Sequence, residues 1–151
     1  MSHAPIRRIL FVCLGNICRS PTAEAVLRAM APDLQIDSAG TSDWHIGDPP
    51  YAPAIEAGAV RGYDLRPLRA RIVRAEDFAA FDHILVMDRS NARAVEALRP
   101  AGSATPVQLL LDFAPDQPLR EVPDPYYTRD FDQTLDLIEA ACRGFLALKA
   151  G

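Results

Sequence analysis

Apolar residues recur along the chain in short blocks of two kinds. Four blocks are rich in apolar and β-branched residues, as expected of strands in a buried parallel sheet; they cover 6–12, 34–38, 83–87 and 107–111. Other segments repeat their apolar positions at helical spacing; they cover 20–30, 53–60, 76–81, 90–98 and 131–146. This alternation predicts an α/β fold, with one doubly wound parallel sheet and helices on both faces.

Capping and breaking residues set the predicted boundaries of these elements. Ser20 is a suitable N-cap for the first helix, Pro21 suits its first helical position, and Pro32 ends it. The segments 40–53 and 112–127 are predicted as loops, because Gly, Pro and Asp are frequent in the first and four prolines lie in the second.

The size and charge of the chain limit what it can be. With 151 residues, of which 49% are apolar, it is long enough for one domain with a proper core, and we expect that domain to span 1–151. A formal net charge of −4 argues against a general binder of nucleic acids or membrane surfaces, since these normally carry a basic excess.

Cysteine content and hydropathy indicate the compartment. Three cysteines are an odd number, too few for a disulfide framework, which fits free thiols in a reducing environment. Arg7 and Arg8 precede an apolar run of about six residues, whereas a signal peptide needs roughly 7–15. No other segment approaches the length of a transmembrane helix. We therefore expect a cytoplasmic protein.

The first predicted strand leads into a segment suited to binding phosphate. In parallel sheets the functional crevice lies beyond the carboxyl ends of the strands. Five residues separate Cys13 from Arg19. A loop of this length can curve around a phosphate group with its backbone N–H groups turned inward. Gly15 and Asn16 tolerate the unusual φ angles that such a loop needs. Arg19 can add a bidentate pair of hydrogen bonds, and the next helix points its positive end at the same spot.

Cys13 is the candidate nucleophile of this loop. Inward N–H groups, a helix N-terminus and Arg19 all favour the thiolate form, and Ser20 can donate its hydroxyl to the sulfur. The alternative is a buried cysteine that acts as a small apolar side chain, which is the commoner role of a free cysteine. The Cys-x5-Arg spacing alone is a weak signal, but its position between a predicted strand and helix makes it a strong one.

The segment 12–21, which reads Val-Cys-Leu-Gly-Asn-Ile-Cys-Arg-Ser-Pro, closely resembles the signature of the low-molecular-weight protein tyrosine phosphatases. The resemblance continues in order through 37–40, 42–44, 87–88, 90–91 and 124–127, and so covers nearly the whole chain. It implies a four-stranded parallel sheet, no metal or organic cofactor, and hydrolysis of phosphotyrosine through a cysteinyl-phosphate on Cys13. The remaining residues expected to bind substrate in the loop are Leu14, Gly15, Asn16, Ile17, Cys18 and Ser20.

Asp124 is the candidate proton donor. Expelling a phenolate needs a donor opposite the incoming thiolate, and a carboxyl group on a loop suits that task. Pro123 and Pro125 restrict its backbone, although an Asp-Pro pair commonly does no more than start a turn. The resemblance assigns Asp124 as general acid, and the same group would then activate the hydrolytic water.

Three aromatic residues are candidates for the walls of a pocket. Trp44, the only tryptophan, lies in a polar, turn-rich stretch, where it either covers minor apolar structure or forms a wall for a flat substrate group. Tyr126 and Tyr127 divide likewise between packing and lining the entrance. The match to the family favours the wall for Trp44 and a lining role for the two tyrosines.

Two polar residues are expected to support the loop. Asn16 and Ser38 resemble residues that hold it in shape by hydrogen bonding. Many family members have a histidine where this chain has Leu68, so we expect a smaller supporting network here.

The other cysteines and the histidines are given lesser roles. Cys18 either packs beneath the loop or forms a disulfide with Cys13 that prevents irreversible oxidation, and the sequence leaves both readings open. Cys142 shares helical spacing with apolar neighbours and is expected in the core. No spacing suggests a metal site, and the residues expected to be on the surface or structural are His3, His45 and His83.

Three other functions are alternatives to phosphotyrosine hydrolysis. An arsenate reductase of similar fold needs a close pair of cysteines late in the chain, where only Cys142 lies. Phosphoarginine phosphatases of the same family favour threonine before the second loop cysteine, and this chain has Ile17. A phosphate-binding module without turnover would need neither Cys13 nor Asp124, so the presence of both residues favours an enzyme.

The resemblance also implies partners. We expect a phosphotyrosine-containing protein as substrate, a tyrosine kinase as a functional partner, and phosphate or related oxyanions as inhibitors. No nucleic acid or membrane partner is expected, and the protein should be a monomer or associate weakly with itself.

Overall fold

The structure is a computed structural model that describes the backbone of residues 8–150 and the side chains of residues 8–148. Ile6 and Arg7 of the first predicted strand, and His3, lie outside the described residues. The strands are β1 (Arg8–Cys13), β2 (Gln35–Gly40), β3 (His83–Val86) and β4 (Val107–Leu109). The helices are α1 (Arg19–Met30), α2 (Ala52–Val60), α3 (Asp77–Ala80), α4 (Arg89–Glu96), α5 (Pro125–Thr128) and α6 (Phe131–Ala150).

The four strands form one parallel sheet in the order β2-β1-β3-β4. This confirms the predicted fold class. The strand β1 lies between β2 and β3, so the strand order reverses there: the chain runs from β1 to β2 on one side and then crosses to β3 on the other. At the carboxyl edge, Cys13 pairs with Gly40. A crevice at such a switch point is the usual binding site of an open α/β sheet.

Side chains of β1 alternate between two apolar layers. Ile9 and Phe11 point to the face that α1 and α6 cover, and Leu10 and Val12 point to the face that α3 and α4 cover. Successive residues of a strand point to opposite faces, so a run that is apolar throughout is what a sheet covered on both sides requires. The loop that begins at Cys13 therefore follows a strand that neighbouring strands hold at both edges and helices cover on both faces.

Three boundaries differ from the predictions. Helix α1 begins at Arg19 with Cys18 as its N-cap, so Ser20 lies within the first turn and its hydroxyl faces Cys13 instead of capping the helix. Strand β4 ends at Leu109, and the apolar run continues as a 3-10 turn, Leu110–Phe113. The predicted loop 112–127 contains the start of α5, whose N-cap Asp124 accepts a hydrogen bond from the backbone N–H of Tyr126.

Close packing of α6 against the 3-10 turn depends on Gly144. A Cβ atom added at this position would lie 1.8 Å from the carbonyl oxygen of Phe113. Because this oxygen belongs to the backbone, no change of side-chain rotamer can relieve the overlap. A larger side chain would therefore push α6 away from the turn and open the core between them.

We predict that Gly144→Ala destabilises the protein. Alanine favours a helix over glycine by about 1 kcal/mol, but the overlap with Phe113 should outweigh that gain and give a net loss of roughly 1–3 kcal/mol. Chemical denaturation measures this free energy of unfolding. Ala147→Ser, at an exposed position of the same helix, should change it little. A Gly144→Ala protein as stable as the wild type would contradict the packing described.

Candidate active site

The loop that follows β1 wraps around the sulfur of Cys13, whose side chain is buried. The backbone N–H groups of Asn16 and Ser20 donate to Sγ over 3.3 and 3.4 Å, and the Ser20 hydroxyl lies 3.0 Å from it. Gly40 lets the loop come close to β2, because a Cβ there would lie 2.8 Å from the carbonyl oxygen of Leu14. Several donors thus converge on one sulfur atom, an arrangement that favours negative charge on it.

The side chain of Asn16 holds the loop in this shape. Its backbone has a φ of 57°, in the left-handed region that asparagine tolerates better than most residues. Its Nδ2 donates to Ser20 Oγ over 2.7 Å and to Ser38 Oγ over 2.9 Å, and its Oδ1 accepts from the backbone N–H of Arg71 over 3.0 Å. Ser20 Oγ accepts from Asn16, so its own proton can be donated to Cys13 Sγ at 3.0 Å or to the carbonyl oxygen of Ala39 at 3.4 Å, and the sulfur is the nearer of the two.

A buried carboxyl group extends this network. Ser38 Oγ donates to Glu24 Oε1 over 2.7 Å, and Arg28 donates to Glu24 Oε2 over 2.7 Å. Burial raises the pKa of Glu24, while the hydrogen bond from Ser38 and the charge of Arg28 act in the opposite direction. Arg28 pairs with this carboxyl group, and in its ionised form the group can only accept, so the Ser38 hydroxyl then points towards it and not towards Asn16.

Leu68 takes a different place from these supporting groups. It packs against an apolar cluster that contains Ala25, Ala54 and Leu65. The polar support of the loop comes instead from Glu24 and from the backbone of Arg71, neither of which sequence reasoning had selected.

The Arg19 guanidinium is fixed on two sides. Its Nη1 donates to Asp88 Oδ2 over 2.8 Å and to the carbonyl oxygen of Val122 over 2.9 Å, and its Nη2 lies 3.6 Å from Asp124 Oδ2. Burial lowers the pKa of Arg19, but Cys13 and the two carboxylates outweigh it, so that the pKa is raised and the charge is retained. Arg19 therefore offers a preset cation between Cys13 and Asp124.

Asp88 is a site residue that sequence reasoning gave no role. It lies two residues after the end of β3, at the carboxyl edge of the sheet. It caps α4 through a reciprocal pair of hydrogen bonds with Asn91 and pairs with Arg19. The rule that placed Cys13 at the end of β1 applies equally to the end of β3, so that signal was present in the sequence.

A cavity of about 190 Å³ opens above the sulfur. Its lining consists of Cys13, Leu14, Gly15, Ile17, Cys18, Arg19, Trp44, His45, Asp124, Tyr126 and Tyr127. Trp44 and Tyr127 are 70% and 71% exposed, so they stand at the rim, whereas Cys13 at the base is 3% exposed. The structure brings together the predicted nucleophile, cation, acid and aromatic walls around one opening.

His45 lines the same cavity, although it was expected on the surface or in a structural role. Its Nδ1 lies 3.1 Å from Asp48 Oδ2, and its ring lies next to Gly15.

Within residues 8–148, no three His, Cys, Asp or Glu side chains are arranged to hold a metal ion. No helix among the described residues is long and apolar enough to cross a membrane.

Comparison with known proteins identifies the class of this site. The sequence model of the low molecular weight phosphotyrosine protein phosphatases matches residues 8–150, and the chain belongs to this family. It is 39% identical to the low molecular weight protein-tyrosine-phosphatase YfkJ of Bacillus subtilis, over 92% of this chain and 93% of the relative. It is 37% identical to the low molecular weight phosphotyrosine protein phosphatase of Sus scrofa, over 97% and 98%.

Solved structures of such proteins share the fold. The crystal structure of YfkJ superposes with a TM-score of 0.89 at 37% identity and covers 97% of this chain and 96% of that one. The crystal structure of DARP, the Drosophila arginine phosphatase, gives a TM-score of 0.88 at 30% identity and covers 95% and 98%. The overall fold therefore does not distinguish the tyrosine phosphatase named in one case from the arginine phosphatase named in the other.

The three thiols differ in their surroundings. Burial, with the charges of Asp124 and Cys13, raises the pKa of Cys18 to about 12. Burial on the core-facing side of α6 raises the pKa of Cys142 to about 12. Both thiols are almost fully protonated at neutral pH and therefore poor nucleophiles.

We predict that iodoacetate at pH 7 alkylates Cys13 first. Its sulfur accepts hydrogen bonds from two backbone N–H groups at the base of the cavity, whereas burial raises the pKa of both Cys18 and Cys142 to about 12. Mass spectrometry of proteolytic peptides would locate the label, and unfolding in guanidinium should make all three cysteines reactive. Labelling of Cys18 ahead of Cys13 in the folded protein would contradict the environment described for the loop.

Proposed function

We propose that this protein hydrolyses phosphotyrosine in proteins through a cysteinyl-phosphate on Cys13. The observation that carries the proposal is the position of the Cys13 sulfur, which receives hydrogen bonds from its own loop at the base of a cavity. Arg19 and Asp124 line the same cavity. Membership of the low molecular weight phosphotyrosine protein phosphatases supports the same chemistry.

In the first step, Arg19 and the inward N–H groups of the loop bind the equatorial oxygens of the phosphate. The Cys13 thiolate attacks phosphorus, and an S–P bond forms as the bond from phosphorus to the tyrosine oxygen breaks. Asp124, in its protonated form, donates its proton to that oxygen, so that neutral tyrosine leaves.

In the second step, Asp124 acts as the base. It accepts a proton from a water molecule whose oxygen attacks phosphorus, and the S–P bond breaks to give inorganic phosphate. The hydroxyl of Ser20, 3.0 Å from the sulfur, stabilises the returning thiolate. Asp124 is then protonated and ready for another substrate.

The walls of the cavity favour an aryl phosphate. Trp44, Tyr126 and Tyr127 offer aromatic faces to a phenyl ring, while the sulfur lies at the base of the opening. A phosphorylated serine would place its backbone against the rim before its phosphate reached Cys13. The substrate is therefore a phosphotyrosine-containing protein.

The wider setting belongs to the same proposal. The chain works as one domain of residues 1–151 in the cytoplasm, as a monomer or in weak self-association. A tyrosine kinase supplies its substrates, and phosphate or related oxyanions inhibit it by occupying the loop. Cys18 contributes to the phosphate site, and its side chain packs with Ile17 and Ala70. A disulfide with Cys13, formed after a peroxide has oxidised that thiolate, is the alternative reading of Cys18.

The direct test compares a phosphotyrosine peptide, phosphoserine and phosphoarginine as substrates of reduced wild type and Cys13→Ser. Wild type should release phosphate from the phosphotyrosine peptide far faster than from the other two, and Cys13→Ser should lose this activity while still binding phosphate. No turnover of phosphotyrosine by folded, reduced wild type would refute the proposal. Equal turnover by Cys13→Ser would refute the covalent intermediate.

Ile17 provides a second prediction about substrate choice. Its apolar side chain lines the cavity directly before Cys18, where it favours a phenyl ring over a polar guanidinium. We predict that Ile17→Thr raises kcat/KM for phosphoarginine relative to phosphotyrosine by roughly fivefold to tenfold, since a hydroxyl can hydrogen-bond the guanidinium. Ile17→Val, which keeps the surface apolar, is the matched control. An unchanged ratio in Ile17→Thr would remove Ile17 as a determinant.

A further inference from the structure

The turn that carries Asp124 is fastened firmly at its beginning. Just before Asp124, the backbone N–H of Val122 donates to the carbonyl oxygen of Met87 over 2.9 Å, and the Val122 carbonyl oxygen accepts from Arg19. Asp124 then caps α5 by accepting from the backbone N–H of Tyr126. The direction of its side chain thus depends on the ion pair with Arg19, whose Nη2 lies 3.6 Å from Asp124 Oδ2, and on how the single turn of α5 is held at its other end.

Three residues hold that other end, and we call them the aromatic clasp: Tyr51, Tyr126 and Arg129. Arg129 Nη1 donates to the Tyr51 hydroxyl over 2.7 Å. Its guanidinium carbon lies 5.6 Å from the ring centroid of Tyr51 and 5.6 Å from that of Tyr126. The two rings lie 5.1 Å apart, so the guanidinium contacts both partners of an aromatic pair.

The clasp is anchored in the phosphate loop. The backbone N–H of Tyr51 donates to the carbonyl oxygen of Ile17 over 2.8 Å, and its side chain packs against the cluster of Ile17 and Cys18. Tyr51 is therefore attached to the loop that carries Cys13, and Arg129 belongs to the turn that carries Asp124. The contact between them joins the nucleophile's loop to the acid's turn.

The backbone of Arg129 is strained. It follows α5 in the left-handed conformation, with φ 63° and ψ 12°, where glycine or asparagine is the usual residue. A residue with a long side chain is strained there and persists when its surroundings hold it. Here the hydrogen bond to Tyr51 and the two ring contacts do so.

We propose that Arg129 is a positioning residue that sets the distance between Asp124 and the leaving oxygen of the substrate, through its grip on Tyr51 and Tyr126. The inference rests on the proposed role of Asp124 as general acid. Loss of the clasp should leave phosphate binding and attack by Cys13 in place, but should impair transfer of the proton. The loss should therefore depend on how much the leaving group needs that proton.

Two small substrates separate these steps. The phenolate that leaves phenyl phosphate is as basic as that of tyrosine and needs protonation. The phenolate that leaves p-nitrophenyl phosphate is stabilised by its nitro group and needs little. For each, kcat/KM reports the reaction as far as cleavage of the first P–O bond, so the ratio between the substrates measures general-acid catalysis and is insensitive to the amount of folded protein.

Arg129→Asn is the main variant, because asparagine accepts the left-handed backbone while removing the guanidinium. We expect its kcat/KM for phenyl phosphate to fall about tenfold more than that for p-nitrophenyl phosphate. Tyr51→Phe, which removes only the hydroxyl acceptor, should shift the ratio in the same direction by less. Arg66→Asn is the control, since Arg66 is an exposed arginine that pairs with Asp64 away from the cavity; its ratio should match the wild type.

A third variant links the effect to the acid. In an Asp124→Asn background there is no proton to position, so adding Arg129→Asn should leave the ratio unchanged. Equal losses on both substrates in Arg129→Asn would overturn the positioning role and leave the chemistry of Cys13 intact. If Asp124→Asn itself loses equally on both substrates, the role of Asp124 fails and this inference fails with it. Loss of all activity in Cys13→Ser tests the proposed function separately from either result.

Discussion

The shape of the loop after β1 depends on one side chain, that of Asn16. Its left-handed backbone turns the loop, and its amide makes three hydrogen bonds, to Ser20, Ser38 and Arg71. These bonds make Ser20 Oγ an acceptor towards Asn16, so that its proton can be donated to Cys13, and they tie the loop to β2 and to the segment before α3. Without them the N–H groups could turn to solvent, and the sulfur would lose the donors that favour its charge.

Much of the fold follows from local signals. The apolar run of β1 and the helical pattern from Ser20 onward place the loop between a buried strand and a helix, as the structure confirms. The predicted start of α1 was late by two residues, since Arg19 is its first residue and Pro21 its third. The break in the run 107–111 could not be predicted, because Leu110 and Leu111 stay buried whether the backbone is a strand or a 3-10 turn. The short α5 was missed since prolines obscure a single turn that a side-chain cap begins.

The candidate site divides in the same way. Cys13 and Arg19 lie in one contiguous motif, so the sequence alone indicates that they act together. Glu24 and Asp88 are brought to them by tertiary packing, and no spacing along the chain shows that Glu24 accepts from Ser38 or that Asp88 holds Arg19. Long-range hydrogen bonds of this kind depend on side-chain geometry, which a pattern of apolar and polar residues does not encode.

The most direct test of the account is to trap the covalent intermediate. Reduced protein would be mixed with a phosphotyrosine peptide, quenched in acid within milliseconds, digested, and its phosphorylated peptides identified by mass spectrometry. The account predicts phosphate on Cys13, at a level that falls as substrate is exhausted. Rapid turnover with no phosphorylated cysteine, or with the phosphate on another residue, would contradict the assignment of Cys13 as the nucleophile.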